Sequence, residues 1–264
     1  MSTVEAKDPV VHVTMDDGVT TLTLDNPPVN ALNSALIASL QEATARVRAD
    51  NTVRAVVIAG SPMFAAGGDV KEMVEWDYAA AVWGSRALGD ACDALAALPI
   101  PVVAAISGLA LGGGLEVALA ADLRVCTDNA RLGFPEVQLG LIPGAGGTQR
   151  LPRVVGDSRA KDLILTGRTL KAPEALSIGL VDRVVAADEL AQAVQEIVEP
   201  FRKGPALAIR AAKAAIDQGG QVPLPSGLQI ERGLFDGLFA TEDRRIGMTT
   251  FLEKGPGQAE FIGR

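Results

Sequence analysis

The chain has 264 residues, of which 48% are apolar, and carries 24 Lys and Arg against 32 Asp and Glu, a net charge of −8. That much apolar sequence can bury the core of one large domain, or of one domain plus an appendage, and excludes a disordered chain. The acidic balance, with a pI of about 4.8, speaks against nucleic acid as a partner, because a polyphosphate needs a basic surface. A small anion held by a few local lysines stays compatible with it.

In chain order, the opening "MSTVEAKDPV" has no apolar run and reads as free of a secretory leader. "VVHVTMDDGVTTLTLDN" alternates apolar and polar residues around Asp-Asp-Gly, which predicts a β-hairpin. Its edge strand holds His12, the only histidine in the chain. A single histidine argues against a Ser-His-Asp triad or a His-rich metal site, so no metal ligand set is assigned. "NSALIASLQEATARVRAD" predicts a helix with Leu36, Leu40, Ala43 and Val47 on one face. "VRAVVIAG" (53–60) reads as a buried strand and "EWDYAAAVWGSRALGDACDALAAL" (75–98) as a long helix stopped by Pro99. "PVVAAISG" (101–108) and "DLRVCT" (122–127) are two further buried strands. Residues 94–115 carry no charge, a length that could span a bilayer. Pro99, Pro101, Gly108 and Gly112 to Gly114 interrupt it, which favours a buried strand, turn and helix. Cys92 and Cys126 read as reduced core thiols of a cytoplasmic protein.

Strands alternating with helices indicate an α/β fold. Beyond about residue 188 the pattern is helical only: "DELAQAVQEIVEPFRK", "PALAIRAAKAAID", "GLQIERGLFDGLF" and "TEDRRIGMTTFLEK". Thr241 suits an N-cap, with Glu242 and Asp243 in the first turn.

Two stretches share one pattern. "AVVIAGSPMFAAGGDV" (55–70) and "PVVAAISGLALGGGLEV" (101–117) both run strand, loop, glycines, acid, helix. Glycine at such a bend lets a ligand approach the backbone, and a helix start presents unclaimed N–H groups at its positive end. Two such bends facing each other would form an oxyanion hole. Each alone could equally mark tight packing, and neither fits a phosphate-binding or dinucleotide-binding loop. Glu116 stands in an apolar helix, where it could pair with Arg124 or Arg150. Glu136, in "RLGFPEVQLGLIPGAGGTQRLPR" (131–153), could be a salt-bridge partner or an exposed loop acid. Together they suggest paired carboxylates beside an oxyanion hole.

At these motifs the chain resembles the enoyl-CoA hydratase/isomerase (crotonase) superfamily. "NPPVNALN", "FAAGGDVKEM" (64–73), "GLALGGGLEVALAAD" (108–122), "FPEVQLGLIPGAGGTQRLPR" (134–153), "TGRTLKAPEALSIGLVDRVV" (166–185) and "FLEKGPGQAEFIGR" match its motifs in order, over almost the whole chain. The resemblance implies a spiral of β-β-α units over residues 1–200 holding the active site. It also implies a helical trimerisation region over 201–264, forming a homotrimer or a dimer of trimers. It assigns the N–H groups of Gly68 and Gly113 to a thioester oxygen, and Glu116 and Glu136 to the two acids that hold a water. Gly144 would line that water. Ala66, Asp69, Val70 and Lys71 would lie along the substrate, the last three at the adenosine end of coenzyme A. Phe251 and Lys254 would reach the coenzyme A site of a neighbouring subunit. Gly68 departs from the alanine common in hydratases, but only its N–H is needed.

The implied activity is hydration of a 2-trans-enoyl-CoA, as in fatty-acid β-oxidation or a related degradation. No metal or redox cofactor is implied, coenzyme A being part of the substrate. The rivals are a Δ3,Δ2-enoyl-CoA isomerase, which characteristically keeps one acid, a specialised acyl-CoA lyase or dehydratase, and a non-catalytic acyl-CoA binder. Trp76, Tyr78 and Trp83 could line the acyl pocket or serve ordinary packing.

Overall fold

Asp17 and Gly18 both have positive φ, 42° and 79°, and join β1 (Val10–Asp16) to β2 (Val19–Asp25) as an antiparallel hairpin. Two left-handed residues in succession match the twist of the flanking strands, the reason Asp-Gly favours such turns. The structure, a computed structural model, describes residues 10–264; residues 1–9, read above for a leader, lie outside them. Helix α1 (Ser34–Ala49) starts where the Asn33 side chain accepts the Leu36 N–H at 2.9 Å, and it buries Leu36, Leu40, Ala43 and Val47 as its periodicity predicts. β3 (Ala55–Gly60) follows, then the short α2 (Val70–Met73) and α3 (Tyr78–Ala96). The last begins three residues later than the sequence pattern suggests. The Asp77 side chain accepts the Ala80 N–H at 2.8 Å and takes the N-cap, which leaves Trp76 outside the helix.

The middle of the chain repeats one unit. β4 (Val102–Ile106) bends into β5 (Leu109–Leu111) and α4 (Gly113–Leu119). β6 (Leu123–Thr127) bends into β7 (Arg131–Gly133), a 3₁₀ turn (Pro135–Leu139), α5 (Gly147–Val155) and α6 (Asp157–Thr166). β8 (Thr169–Lys171), α7 (Ala172–Ser177) and β9 (Arg183–Val185) close the series. The five longer strands and the short β9 join a six-stranded sheet in the order β1-β2-β3-β4-β6-β9, parallel from β2 onward. The other three short strands form a second sheet, β5-β7-β8. This is the expected spiral of β-β-α units. The charge-free run 94–115 divides among the end of α3, β4, β5 and the start of α4. No helix among the described residues is long and apolar enough to cross a membrane.

The large sheet is covered on both faces, which is why its parallel strands read as continuous apolar runs. Val56, Ile58, Val102, Ala104 and Ile106 face a core shared with α1, α3 and α4. The alternate residues Ala55, Val57, Val103 and Ala105 face Ala193, Val194 and Val198 of α8 (Leu190–Lys203). Cys92 and Cys126 are buried free thiols, as expected. His12 lies on edge strand β1 with Nε2 2.7 Å from Asp25 Oδ2.

Three more helices follow, α9 (Ala206–Gly219), α10 (Leu224–Leu238) and α11 (Glu242–Lys254). Lys213 of α9 ties this part to the sheet, its Nζ meeting Asp122 Oδ2 at 2.7 Å and the Ile100 carbonyl at 3.1 Å. Thr241 caps α11 as predicted, accepting the Arg244 N–H. Asp243 is buried and accepts the N–H groups of Ile262 and Gly263 at 2.7 and 2.9 Å, so the C-terminal tail folds back over the start of α11. Asp243→Ala leaves both donors without their charged acceptor. It should lower the unfolding free energy by about 2 kcal/mol in urea titration. It should also speed trypsin cleavage after Lys254; unchanged cleavage would show that the tail is held by other means.

Candidate active site

The site begins with two backbone bends. After β5 the chain turns at Gly112, where φ is 49° and ψ −125°, a conformation closed to residues with a Cβ. α4 then starts at Gly113 with no side-chain cap, so its first N–H groups have no partner within the helix. The second bend is Gly67, with φ 108°, followed by Gly68. The small sheet brings the two together: the Ala65 N–H donates to the Leu109 carbonyl, and the Leu111 N–H to the Ala65 carbonyl. A Cβ built on Gly113 would lie 3.6 Å from the Gly68 nitrogen, and one on Gly67 3.8 Å from the Gly113 nitrogen. Neither the Gly68 nor the Gly113 N–H donates a hydrogen bond among the described residues. The two stretches of like pattern therefore end side by side with two unclaimed donors.

Their acids differ in role. Asp69 caps α2, its Oδ1 accepting the Lys71 N–H at 2.9 Å. Glu116, only 2% exposed, lies within α4, and its Oε1 accepts two backbone N–H groups, from Ala145 at 2.7 Å and Gly147 at 2.8 Å. It forms no ion pair with either arginine that the sequence offered. Arg124 donates to the Leu180 and Ala121 carbonyls, and Arg150 to the Ala145 carbonyl and Asp93. Burial raises the Glu116 pKa, and the Gly147 and Ala145 N–H groups and the Arg150 charge oppose that shift.

Glu136 is the second residue of the 3₁₀ turn after β7 and is half-buried, neither an exposed loop acid nor, among the described residues, a salt-bridge partner. Its carboxylate lies over Gly112, where a Cβ would stand 2.9 Å from Oε1. Its Oε2 is buried and has no hydrogen-bond partner among the described residues. Burial, with the Glu116 charge adding to it, pushes the Glu136 pKa up to about 7. The two carboxyl groups thus feel each other's charge, and neither forms an ion pair among the described residues.

Around them, Gly144 precedes the donor Ala145, and Ala66 immediately precedes the Gly67 bend and gives its N–H to the Val29 carbonyl. Val70 and Lys71 form the exposed start of α2 next to Gly68. Phe251 and Lys254 lie on α11; no hydrogen bond or ion pair among the described residues joins them to the acids or the glycine bends. Helix α3 supplies residues that the sequence reading missed. A Cβ on Gly113 would meet Leu88 Cδ2 at 2.9 Å, and one on Gly144 would meet Ser85 Cβ at 3.8 Å. Their spacing of three marks one helical face, the only signal that could have found them. Tyr78 and Trp83 are instead 87% and 72% exposed, and the Trp76 indole lies on Gly84.

A family model described as enoyl-CoA hydratase/isomerase matches residues 14–261 of the chain. A probable enoyl-CoA hydratase of Mycobacterium bovis is 41% identical over 253 residues, 92% of this chain and 95% of that one. A short-chain-enoyl-CoA hydratase of Clostridium acetobutylicum is 40% identical over 243 residues, 89% of this chain and 92% of that one. The crystal structure of an enoyl-CoA hydratase from Bacillus anthracis superposes with a TM-score of 0.92 at 38% identity, covering 96% of this chain and 99% of that one.

The raised Glu136 pKa has a consequence for stability. Between its ordinary value of 4.5 and about 7 the folded state holds a proton that the unfolded state has released. Stability therefore falls as pH rises through that window. Glu136→Gln removes the titration, so its melting temperature relative to wild type should climb from pH 4.5 to pH 8. A constant difference between the two melting curves across that range would contradict the assignment.

Proposed function

The chain belongs to the enoyl-CoA hydratase/isomerase family, and we propose that it adds water across the 2-trans double bond of enoyl-CoA thioesters, giving 3-hydroxyacyl-CoA, with Glu116 and Glu136 as its acid–base pair. One observation carries this reading. Glu116 has one oxygen filled by two backbone N–H groups, and Glu136 has a buried oxygen without a partner, beside two unclaimed glycine N–H groups. Such an arrangement is costly in a folded chain and is retained where a ligand completes it.

The geometry supports one course of reaction. The thioester oxygen takes the Gly68 and Gly113 N–H groups, which hold the negative charge that develops as the enolate forms. Each such donor is worth roughly 100- to 1000-fold in rate. With Oε1 of Glu116 engaged, Oε2 accepts a hydrogen bond from water and aims it at C3. Glu136, poised near neutrality, gives its proton to C2 and takes one back from the water as the C3–O bond forms. Two backbone N–H groups on Glu116 favour its charged form, and Glu136 Oε2 has no donor, which suits the first acid to the charged role and the second to the protonated one. A double-bond isomerisation needs only one acid; the presence of both favours hydration.

Coenzyme A enters as part of the substrate, along Ala66, Asp69, Val70 and Lys71, with Gly144 lining the water. Residues 1–200 form the catalytic core and 201–264 the oligomerisation region of a trimer or dimer of trimers. There, Ile216, Leu224, Phe235, Phe251 and Leu252 expose more apolar surface than an isolated helical tail retains. Phe251 and Lys254 then serve a neighbouring subunit's coenzyme A site. The protein works in the cytoplasm.

Glu116→Gln and Glu136→Gln should each lower hydration of crotonyl-CoA by about 100- to 10,000-fold with substrate affinity largely kept. The double variant should lose far less than the product, because both groups act on one water. Near-full activity in either single variant removes that residue from the mechanism. Sedimentation should show a trimer-based assembly; an active monomer at micromolar concentration would refute it.

A further inference from the structure

Arg150 lies on α5 one turn from its start, and its side chain folds back over the N-terminal end of its own helix. Nη1 donates to the Ala145 carbonyl at 2.9 Å, and Nη2 to Asp93 Oδ1 of α3 at 2.5 Å. Ala145 is the residue whose N–H donates to Glu116 Oε1 at 2.7 Å. The same residue is thus gripped from both sides, by the arginine through its carbonyl and by the carboxylate through its N–H. The Nη1 end of the guanidinium lies against Gly146, where φ is 108° and a Cβ would stand 2.1 Å from Nη1. Gly146 is therefore required twice, for its left-handed backbone and for the room it leaves.

The placement is unfavourable for the helix itself. A cation near a helix N-terminus opposes the macrodipole, and that end favours an anion such as Glu116, which takes the Gly147 N–H. Helix stability does not explain an arginine held there. Its side chain is only 21% exposed, and that of its partner Asp93 is 73% exposed. The titratable and charged groups facing Glu116 are few. Glu136 comes from the 3₁₀ turn, Arg150 from α5, and the Cys92 thiol from α3, which burial keeps protonated with a pKa of about 12. Arg150 is the one cation among them.

We propose that Arg150 is the positioning residue for Glu116: its fork, held by Asp93, fixes the 144–147 loop so that two backbone N–H groups orient the carboxylate and keep its second oxygen on the water. The inference rests on the hydratase reading above. Without the fork the loop loses its anchor, and a small displacement of a reacting group is expensive. Without the charge, Glu116 binds its proton more readily.

The test is the pH dependence of kcat and KM for crotonyl-CoA hydration by assembled Arg150→Gln, Arg150→Lys and Glu116→Gln. Arg150→Gln should lower kcat by roughly 10- to 100-fold, with KM within about twofold of wild type. Its acidic limb should move to higher pH. Arg150→Lys keeps the charge and loses the fork, so its limb should stay at the wild-type position while kcat still falls. A melting temperature that drops in Arg150→Gln with kcat and the limb unmoved means a structural role only, and overturns the proposal. If Arg150→Gln does not assemble, Arg150→Lys decides, and wild-type kcat in it overturns the proposal. Full activity in Glu116→Gln would instead defeat the reading on which the inference rests.

Discussion

A carboxylate buried in an apolar helix must find donors, and Glu116 finds them in the N–H groups of Ala145 and Gly147. Burial without them would cost several kcal/mol or force the group to stay protonated. Much of the local architecture follows from this need. The loop after the 3₁₀ turn must pass close to α4, must turn left-handed at Gly146, and must deliver the start of α5 with its N–H groups pointing at the acid. Arg150 then locks that loop from outside. The tie is long in sequence, 29 and 31 residues, and short in space.

The second constraint is the absence of side chains at the bends. Gly67 and Gly112 adopt backbone conformations that side chains avoid, and Gly113 and Gly68 leave two N–H groups uncovered. A Cβ on Gly112 would occupy the space held by the Glu136 carboxylate, and one on Gly114 would sit 2.3 Å from the Ala65 carbonyl oxygen. The repeated unit of long strand, bend and short strand makes this possible, since β3 and β4 are neighbours in the large sheet. Whatever follows each strand emerges at the same end, one repeat apart. Two bends of like sequence thus become two walls of one site.

The candidate site departs from rules that most of the fold obeys. Most other buried polar groups are matched: Asn30 donates to three carbonyls, Asp122 takes both Lys213 and the Val102 N–H, and Asp243 holds the tail. The exceptions among the described residues are Thr20 Oγ1, Arg210 Nε and Arg244 Nε, none of them a carboxylate. Glu136 Oε2 is left without a partner, and its carboxyl is pushed toward neutrality beside another acid. An unpartnered carboxylate oxygen beside a second buried acid is the kind of local inconsistency that a functional site is expected to cost.

The sequence by itself determined the elements and the chemistry on offer. Alternation around Asp17–Gly18, the face of α1, the apolar runs of β3, β4 and β6, the glycine clusters and the scarcity of histidine all act locally or by composition. They are legible because they repeat at the period of the element or exclude a residue type. The motif order identified the family and, with it, Glu116 and Glu136. Tertiary structure decided the rest. Whether Glu116 would pair with Arg124 or Arg150 was open in the sequence; the fold commits both arginines to carbonyls and gives the acid backbone N–H groups instead. The facing of Ser85 and Leu88 toward the glycines, with Trp83 and Tyr78 turned outward, depends on how α3 is rotated against α4. Asp77 also resets where α3 begins. Such choices rest on contacts between residues distant in the chain, and backbone N–H groups, which every residue but proline carries, leave no mark in the sequence until the fold aims them.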